Sequence, residues 1–132
     1  MSKTLHIGSL NVRGLNDKVK RNNVYRWIDE KKYDICLIQE TFCTKESRAK
    51  FDRDWKGKIL HSFTNSSHSR GVAILLNKST KYSIITSHTD ELGRIILLNI
   101  KIEDLDYTIV NVYAPNSLSD RIQFFKGLSS FI

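Results

Sequence analysis

Three runs, residues 35–38 (ICLI), 72–76 (VAILL) and 95–98 (IILL), are apolar on consecutive residues. A strand with one face in water alternates apolar and polar residues, so an unbroken run reads as a strand buried on both faces. Strands of that kind need a layer of structure on each side, which points to a layered α/β architecture. At 132 residues the chain fits one domain with a real core, and neither disulfides nor a structural metal are needed to hold it together.

Periodicity places the remaining elements. A first strand is expected over residues 5–12, where Leu5 and Ile7 alternate with His6 and Gly8 before the turn-forming Gly14. Polar residues 16–21 read as a loop. A helix over 22–32 follows, because Val24, Trp27, Ile28 and Lys31 recur at spacings of three and four. The second strand is residues 35–39. Thr44 is placed as the cap of a second helix over 45–55, in which Phe51 and Trp55 stand four apart. Five further strands are legible at 58–64, 71–76, 82–87, 95–102 and 107–112. Ser117 and Asp120 form a capping-box arrangement ahead of a final helix carrying Ile122, Phe125 and Leu128. Trp27 and Trp55 are assigned to the core.

Three helices can cover only one face of a single seven-strand sheet. The other face then either needs cover from outside these residues or stays an exposed apolar surface, and the chain is expected to be the first part of a longer domain. Its end at Phe131 and Ile132, with no capping glycine or polar tail, supports the same expectation.

Lys and Arg number 21 against 14 acidic residues, and a net charge of +7 on so small a chain favours polyanionic partners. Lys18, Lys20 and Arg21 form a small basic cluster near the first strand end, a source of non-specific DNA affinity. The two cysteines, Cys36 and Cys43, lack metal-ligand spacing and suit a reducing compartment. The N-terminus MSKTLHIGSL has no signal-peptide core, and no apolar run approaches the roughly 20 residues of a membrane span. An intracellular protein without a membrane partner is expected. His6, His61, His68 and His88 are scattered and are read as ordinary strand or loop residues.

The first strand, first helix and second strand make a βαβ unit, so both strands run parallel and end on the same edge of the sheet. Asn11 ends one and Glu40 the other, at the edge where α/β proteins place their ligand sites. An amide and a carboxylate converging there suit a hard cation such as Mg²⁺, which takes oxygen ligands. Capping of the strand-end loops is the alternative for both. In NVYAPN, residues 111–116, the Tyr113 hydroxyl and Asn116 amide can hydrogen-bond a phosphate. The alternative is a tyrosine covering the sheet edge and an asparagine starting the last helix. Arg70, in the NSSHSR turn, either touches a phosphate backbone or belongs to a solvated hairpin turn.

Taken in order, NVRGL, DICLIQET, SRGVAILL, GRIILLNI and NVYAPN resemble the endonuclease/exonuclease/phosphatase superfamily. The resemblance is strongest to the N-terminal part of the apurinic-type endonuclease domain of LINE-like, non-LTR retrotransposons. It implies the N-terminal half of a four-layer α/β sandwich in which two sheets pack face to face. It implies a DNA endonuclease that uses Mg²⁺ or Mn²⁺, acts in the nucleus, and is joined in the full-length protein to a downstream reverse transcriptase. By resemblance, Asn11, Glu40 and Tyr113 are catalytic residues, Glu40 and Asn11 face the metal, and Asn116 contacts the nucleic acid. Asn111 is assigned to structure. Arg13 stands where DNA-repair members tend to carry an acidic residue, which argues against a repair role. The superfamily's later Asp-x-Asn and Ser-Asp-His motifs have no counterpart in these residues, so the fragment alone is expected to be inactive. The alternative is a non-catalytic remnant serving as a nucleic-acid- or partner-binding module; a phosphoinositide or sphingolipid substrate is a third reading.

Overall fold

The structure, a computed structural model, describes residues 4–131; Met1 to Lys3 of the N-terminal stretch, and Ile132 of the chain end, lie outside them. Seven strands and three helices follow in the order β1 (Ile7–Asn11), α1 (Lys18–Glu30), β2 (Ile35–Gln39), α2 (Arg48–Asp54), β3 (Lys58–Ser62), β4 (Val72–Leu76), β5 (Ser83–Thr89), β6 (Ile95–Ile102), β7 (Leu105–Val112) and α3 (Leu118–Phe131).

The strands do not form one sheet. They divide into a four-stranded sheet ordered β1-β2-β4-β3 and a three-stranded antiparallel meander ordered β5-β6-β7. β1 and β2 pair in parallel, as the βαβ reading requires, and β4 runs antiparallel to β2. Sequence periodicity reports which faces of a strand are buried and is silent on which strands pair, so the division was invisible to it.

The consecutive apolar runs are explained by this division. Along β4, Val72, Ile74 and Leu76 point to one core while Ala73 and Leu75 point to another, and β2 alternates in the same way. The first core lies between the sheets, where Ile35, Val72, Ile74 and Leu76 meet Ile96, Leu98, Ile100 and Ile102. The second lies between the four-stranded sheet and two helices, where Cys36, Ile38 and Leu75 meet Tyr25 and Ile28 of α1, Phe51 of α2 and Trp55. The meander therefore supplies cover for the sheet face that the helices leave bare.

α1 starts at Lys18, four residues earlier than its apolar spacing predicts, because the Asp17 side chain caps it by accepting from Lys20 N. Its buried stripe is Arg21, Tyr25 and Ile28. This rotates Trp27 outward: it is 41% exposed, tilted against Tyr33, with Lys31 Nζ above its ring, and is not a core residue. α2, by contrast, starts later than predicted. Thr44 is engaged reciprocally with Ser47 in the preceding turn, Thr44 N donating to Ser47 Oγ and Ser47 N to Thr44 Oγ1, and the helix begins after Ser47. For α3 the predicted cap holds, with Asp120 N donating to Ser117 Oγ at 3.3 Å.

Arg21 is 1% exposed, so it leaves the basic cluster assigned to DNA. Its guanidinium forks to Asp54 Oδ2 at 2.7 and 3.0 Å and donates to the carbonyls of Leu15 and Asn16 at 3.0 Å each. The loop after β1, α1 and α2 are joined through this one side chain. Both thiols are buried, and burial pushes Cys36 and Cys43 up to about 12, which leaves them protonated and unreactive at neutral pH.

His61 on β3 stacks on Phe63 with ring centroids 5.0 Å apart and meets Phe51 edge-on. Its Nε2 faces Asp52 Oδ1 at 2.9 Å, while Nδ1 is buried with no partner among the described residues. Burial lowers the imidazole's affinity for a proton and outweighs the opposing pull of Asp52. A histidine with a depressed folded value binds more protons when unfolded. Its stabilising contribution is present above about pH 6.5 and is lost as the pH falls below that. Thermal unfolding at about pH 7.5 and about pH 5.5 is expected to show a lower midpoint at the acid end, with most of the difference removed in His61→Phe. An unchanged difference in the variant would assign the acid sensitivity to other groups.

Candidate functional site at the shared strand exits

Asn11 is the last residue of β1, and Glu40 follows the last residue of β2; the register pairs Asn11 with Gln39. The two side chains touch. Asn11 Nδ2 donates to Glu40 Oε2, and Asn11 Oδ1 accepts from Arg13 N at 3.2 Å. Glu40 is thus a half-buried carboxylate with one oxygen held by a fixed amide.

The backbone that carries Glu40 is unusual. Arg13, Glu40, Phe42 and Arg70 all have φ between 53 and 60°, in the left-handed region that side chains rarely occupy. A ladder of main-chain hydrogen bonds running across the loops holds them there. Gly14 N donates to Glu40 O, Leu15 N to Thr41 O, Thr41 N to Gly71 O, Phe42 N to Arg70 O and Gly71 N to Gly93 O, at 2.6 to 3.0 Å. Two of the rungs show why glycine is needed there. A Cβ on Gly71 would lie 2.4 Å from Thr41 Oγ1, and one on Gly93 would lie 2.7 Å from Gly71 N. The exits of β1 and β2 and the entries of β4 and β6 are thereby strapped side by side.

The second sheet is fastened to the same place by Asn111, which is 1% exposed. Its Nδ2 donates to the carbonyls of Ile38 and Ala73 at 3.0 and 2.8 Å, and its Oδ1 accepts from Gln39 Nε2 at 2.8 Å. One buried amide on β7 therefore ties β2 and β4 of the opposite sheet, in keeping with the structural role expected of it. Tyr113, two residues on, is half-buried beside the inter-sheet core, and its N donates to Arg94 O at 2.8 Å. This brings Tyr113 to the edge that carries Asn11 and Glu40. Asn116 is exposed just ahead of α3 and Arg70 is half-buried with Nη2 donating to Asn65 Oδ1 at 3.0 Å. Among the described residues, no hydrogen bond joins Asn116 or the Arg70 guanidinium to Asn11 or Glu40.

One participant in this edge was not singled out from the sequence. In DELGR, residues 90–94, Asp90 Oδ1 accepts from Ser62 Oγ and from the main-chain N–H groups of Leu92, Arg94 and Ile95, at 2.7 to 3.3 Å. Asp90 builds the loop that delivers Gly93 to Gly71 and Arg94 to Tyr113. A short polar side chain ahead of a Gly turn was the available signal.

A carboxylate with one braced oxygen and a neighbouring amide is an oxygen-rich donor set, which fits a hard divalent cation and its waters better than a soft one. A tyrosine hydroxyl at the same edge adds a donor for an anionic oxygen.

Known proteins share this fold. The chain is 27% identical over 128 residues to the transposon TX1 uncharacterized 149 kDa protein of Xenopus laevis, an alignment covering 97% of this chain and 10% of that protein. It superposes on the AP endonuclease LMAP of Leishmania major with a TM-score of 0.68 at 19% identity, over 90% of this chain and 44% of that one. For D. rerio TDP2 complexed with single strand DNA product the TM-score is 0.70 at 15% identity, over 94% and 52% of the two chains. These superpositions show a shared fold, and the chain spans about half the length of either structure. Residues 8–130 match the model of the Endonuclease/Exonuclease/phosphatase family, and the chain belongs to that family.

Proposed function

We propose that the chain is the N-terminal part of a metal-dependent DNA endonuclease domain that nicks DNA, of the non-LTR retrotransposon type. The observation that carries this reading is the Glu40 carboxylate held by Asn11 at the common exit of β1 and β2, with Tyr113 fastened to the same edge through Asn111. The TX1 transposon relative, the solved neighbours named for AP endonuclease and DNA-product binding, and the net charge of +7 all support it.

Glu40 is the residue to hold Mg²⁺ or Mn²⁺, through the oxygen that Asn11 leaves free. When bound, the cation neutralises charge on a phosphoryl oxygen. Asn11 fixes the carboxylate's orientation. The Tyr113 hydroxyl hydrogen-bonds the scissile phosphate, and Asn116 and Arg70 contact the flanking backbone. Residues beyond these 132 supply the general base and the remaining electrophile, so that the fragment by itself is inactive. That reading draws on the share of each solved neighbour, 44% and 52%, that the chain spans. The role places the full-length protein in the nucleus, with a reverse transcriptase as its downstream partner domain. Among the described residues, no helix is long and apolar enough to cross a membrane.

The test is nicking of supercoiled plasmid by the full-length protein that carries this chain, with Mg²⁺ present. Glu40→Ala is expected to slow nicking at least about tenfold, the loss of roughly 1.4 kcal/mol of transition-state stabilisation. Nicking at the parent rate rejects the assignment. Salt-sensitive DNA binding that ignores both EDTA and Glu40→Ala, without nicking, would support a binding module instead.

A further inference from the structure

The end of the four-stranded sheet away from Glu40 carries a cleft of about 480 Å³. Its place follows from the strand register. Ile35 opens β2, Leu76 closes β4 and Lys58 opens β3, and the three sit side by side. Gln39, Val72 and Ser62 make the row at the other end, next to Glu40. About 13 Å of strand separates the two rows.

Arg26, Lys32, Lys56 and Lys78 stand on the walls of the cleft with two carboxylates, Asp29 and Asp54. Asp54 is already engaged by Arg21 and Arg53. All four cations are exposed, and among the described residues no salt bridge pairs any of them. Arg26 and Lys32 lie toward the carbonyl end of α1 and offset its negative pole. Lys78 follows a strand, where no helix end accounts for it. Charges of one sign around a cleft repel one another and draw an anion into it.

The backbone of the cleft is preformed. A Cβ on Gly57 would lie 2.0 Å from Leu76 O, and Trp55 Nε1 donates to that same carbonyl at 3.1 Å. Asn77 shapes the loop that carries Lys78 and Ser79. Its N donates to Asp34 O at 3.0 Å, its Nδ2 to Tyr33 O at 3.3 Å, and its Oδ1 accepts from Ser79 N at 2.9 Å. Asn22 and Ser79, also on the walls, add a neutral amide and hydroxyl of the kind that contact phosphate oxygens.

We propose that this cleft is a second nucleic-acid contact, remote from the strand exits, whose lysines bind phosphate groups of a backbone. Ammonium point charges beside neutral donors suit a chain of phosphates, and the net charge of +7 favours a polyanion. The nuclease reading does not enter this inference.

Binding of a single-stranded oligonucleotide by the full-length protein is measured across a range of salt concentrations. The double variant Lys56→Gln/Lys78→Gln is expected to flatten the slope of log affinity against log salt by about 1.4, two phosphate contacts at about 0.7 each. A control pair on exposed helix positions, Lys50→Gln/Lys126→Gln, is expected to keep the parent slope. An unaltered slope in the first pair, or an equal loss in the control, overturns the proposal. With plasmid at saturation and Mg²⁺ present, the first pair is expected to nick at the parent rate. A nicking rate that falls at saturation would make the cleft part of the reacting site and overturn its separateness. Polyglutamate that displaces the oligonucleotide from the parent as well as it does from the Lys56→Gln/Lys78→Gln variant leaves the cleft's preference for phosphate standing. Displacement confined to the parent makes it a site for acidic peptide and overturns the nucleic-acid assignment.

Discussion

Arg21→Ala is expected to destabilise the 132-residue chain by about 3 kcal/mol, the lower end of what breaking a buried ion pair costs. The lower end applies because Asp54 keeps a second partner, Arg53 Nε at 3.1 Å, and its side chain is 10% exposed. The loss has two sources. Asp54 gives up a forked partner, the buried Leu15 carbonyl loses its donor, and so does the half-buried Asn16 carbonyl. Arg21→Lys should recover only part of it, because a point-like ammonium cannot reach Asp54 and both carbonyls together. Urea unfolding of the three proteins checks this, and an alanine variant within about 0.5 kcal/mol of the parent would show the pair to be idle. The pair also carries an acid limit. Hydrogen bonds from Arg53 and then Arg21 hold Asp54 below its ordinary value. Its contribution is present above about pH 4 and disappears as the pH falls through the lowered value.

Asn111→Ala is expected to cost about 3 kcal/mol, because two buried carbonyls, those of Ile38 and Ala73, lose their donor at once. Among the described residues, neither carbonyl has another side-chain donor. Gln39→Ala is expected to cost about 1 kcal/mol, since Gln39 is half-buried and makes an ordinary hydrogen bond. The ordering matters more than either value. If the two variants unfold at the same urea concentration, Asn111 does not act as the strut between the sheets.

Much of the fold was readable where a residue type has one physical meaning. Doubly apolar runs meant doubly buried strands at β2, β4 and β6, and β2 and β6 appear with the expected ends. Reading failed where polar residues do interior work. Arg21 looked like surface charge, because no local pattern announces that an Asp thirty-three positions away receives it. The early start of α1 was missed for the same reason, since its first turn is polar apart from Val19. Trp27 was misplaced because a stripe drawn through apolar residues omitted the buried arginine that sets the helix's rotation. At the site, Asn11, Glu40 and Tyr113 could be anticipated as strand ends. The straps that hold them could not, because main-chain hydrogen bonds between loops and left-handed φ values at Arg13, Glu40 and Phe42 leave no mark on residue type.

The order of the two sheets along the chain has a consequence for synthesis. Every strand of the four-stranded sheet lies before Asn77, and every strand of the meander lies after it. A ribosome working from the N-terminus therefore releases a sheet whose inward face, with Ile35, Val72, Ile74 and Leu76, has nothing to pack on until β6 emerges. At about 5–20 residues per second that interval is on the order of seconds, far longer than hydrophobic collapse takes. Nascent chains of this topology thus carry a transient sticky surface, and the holding of that surface by a chaperone, or its early burial by the emerging meander, decides how much of the protein reaches its folded state.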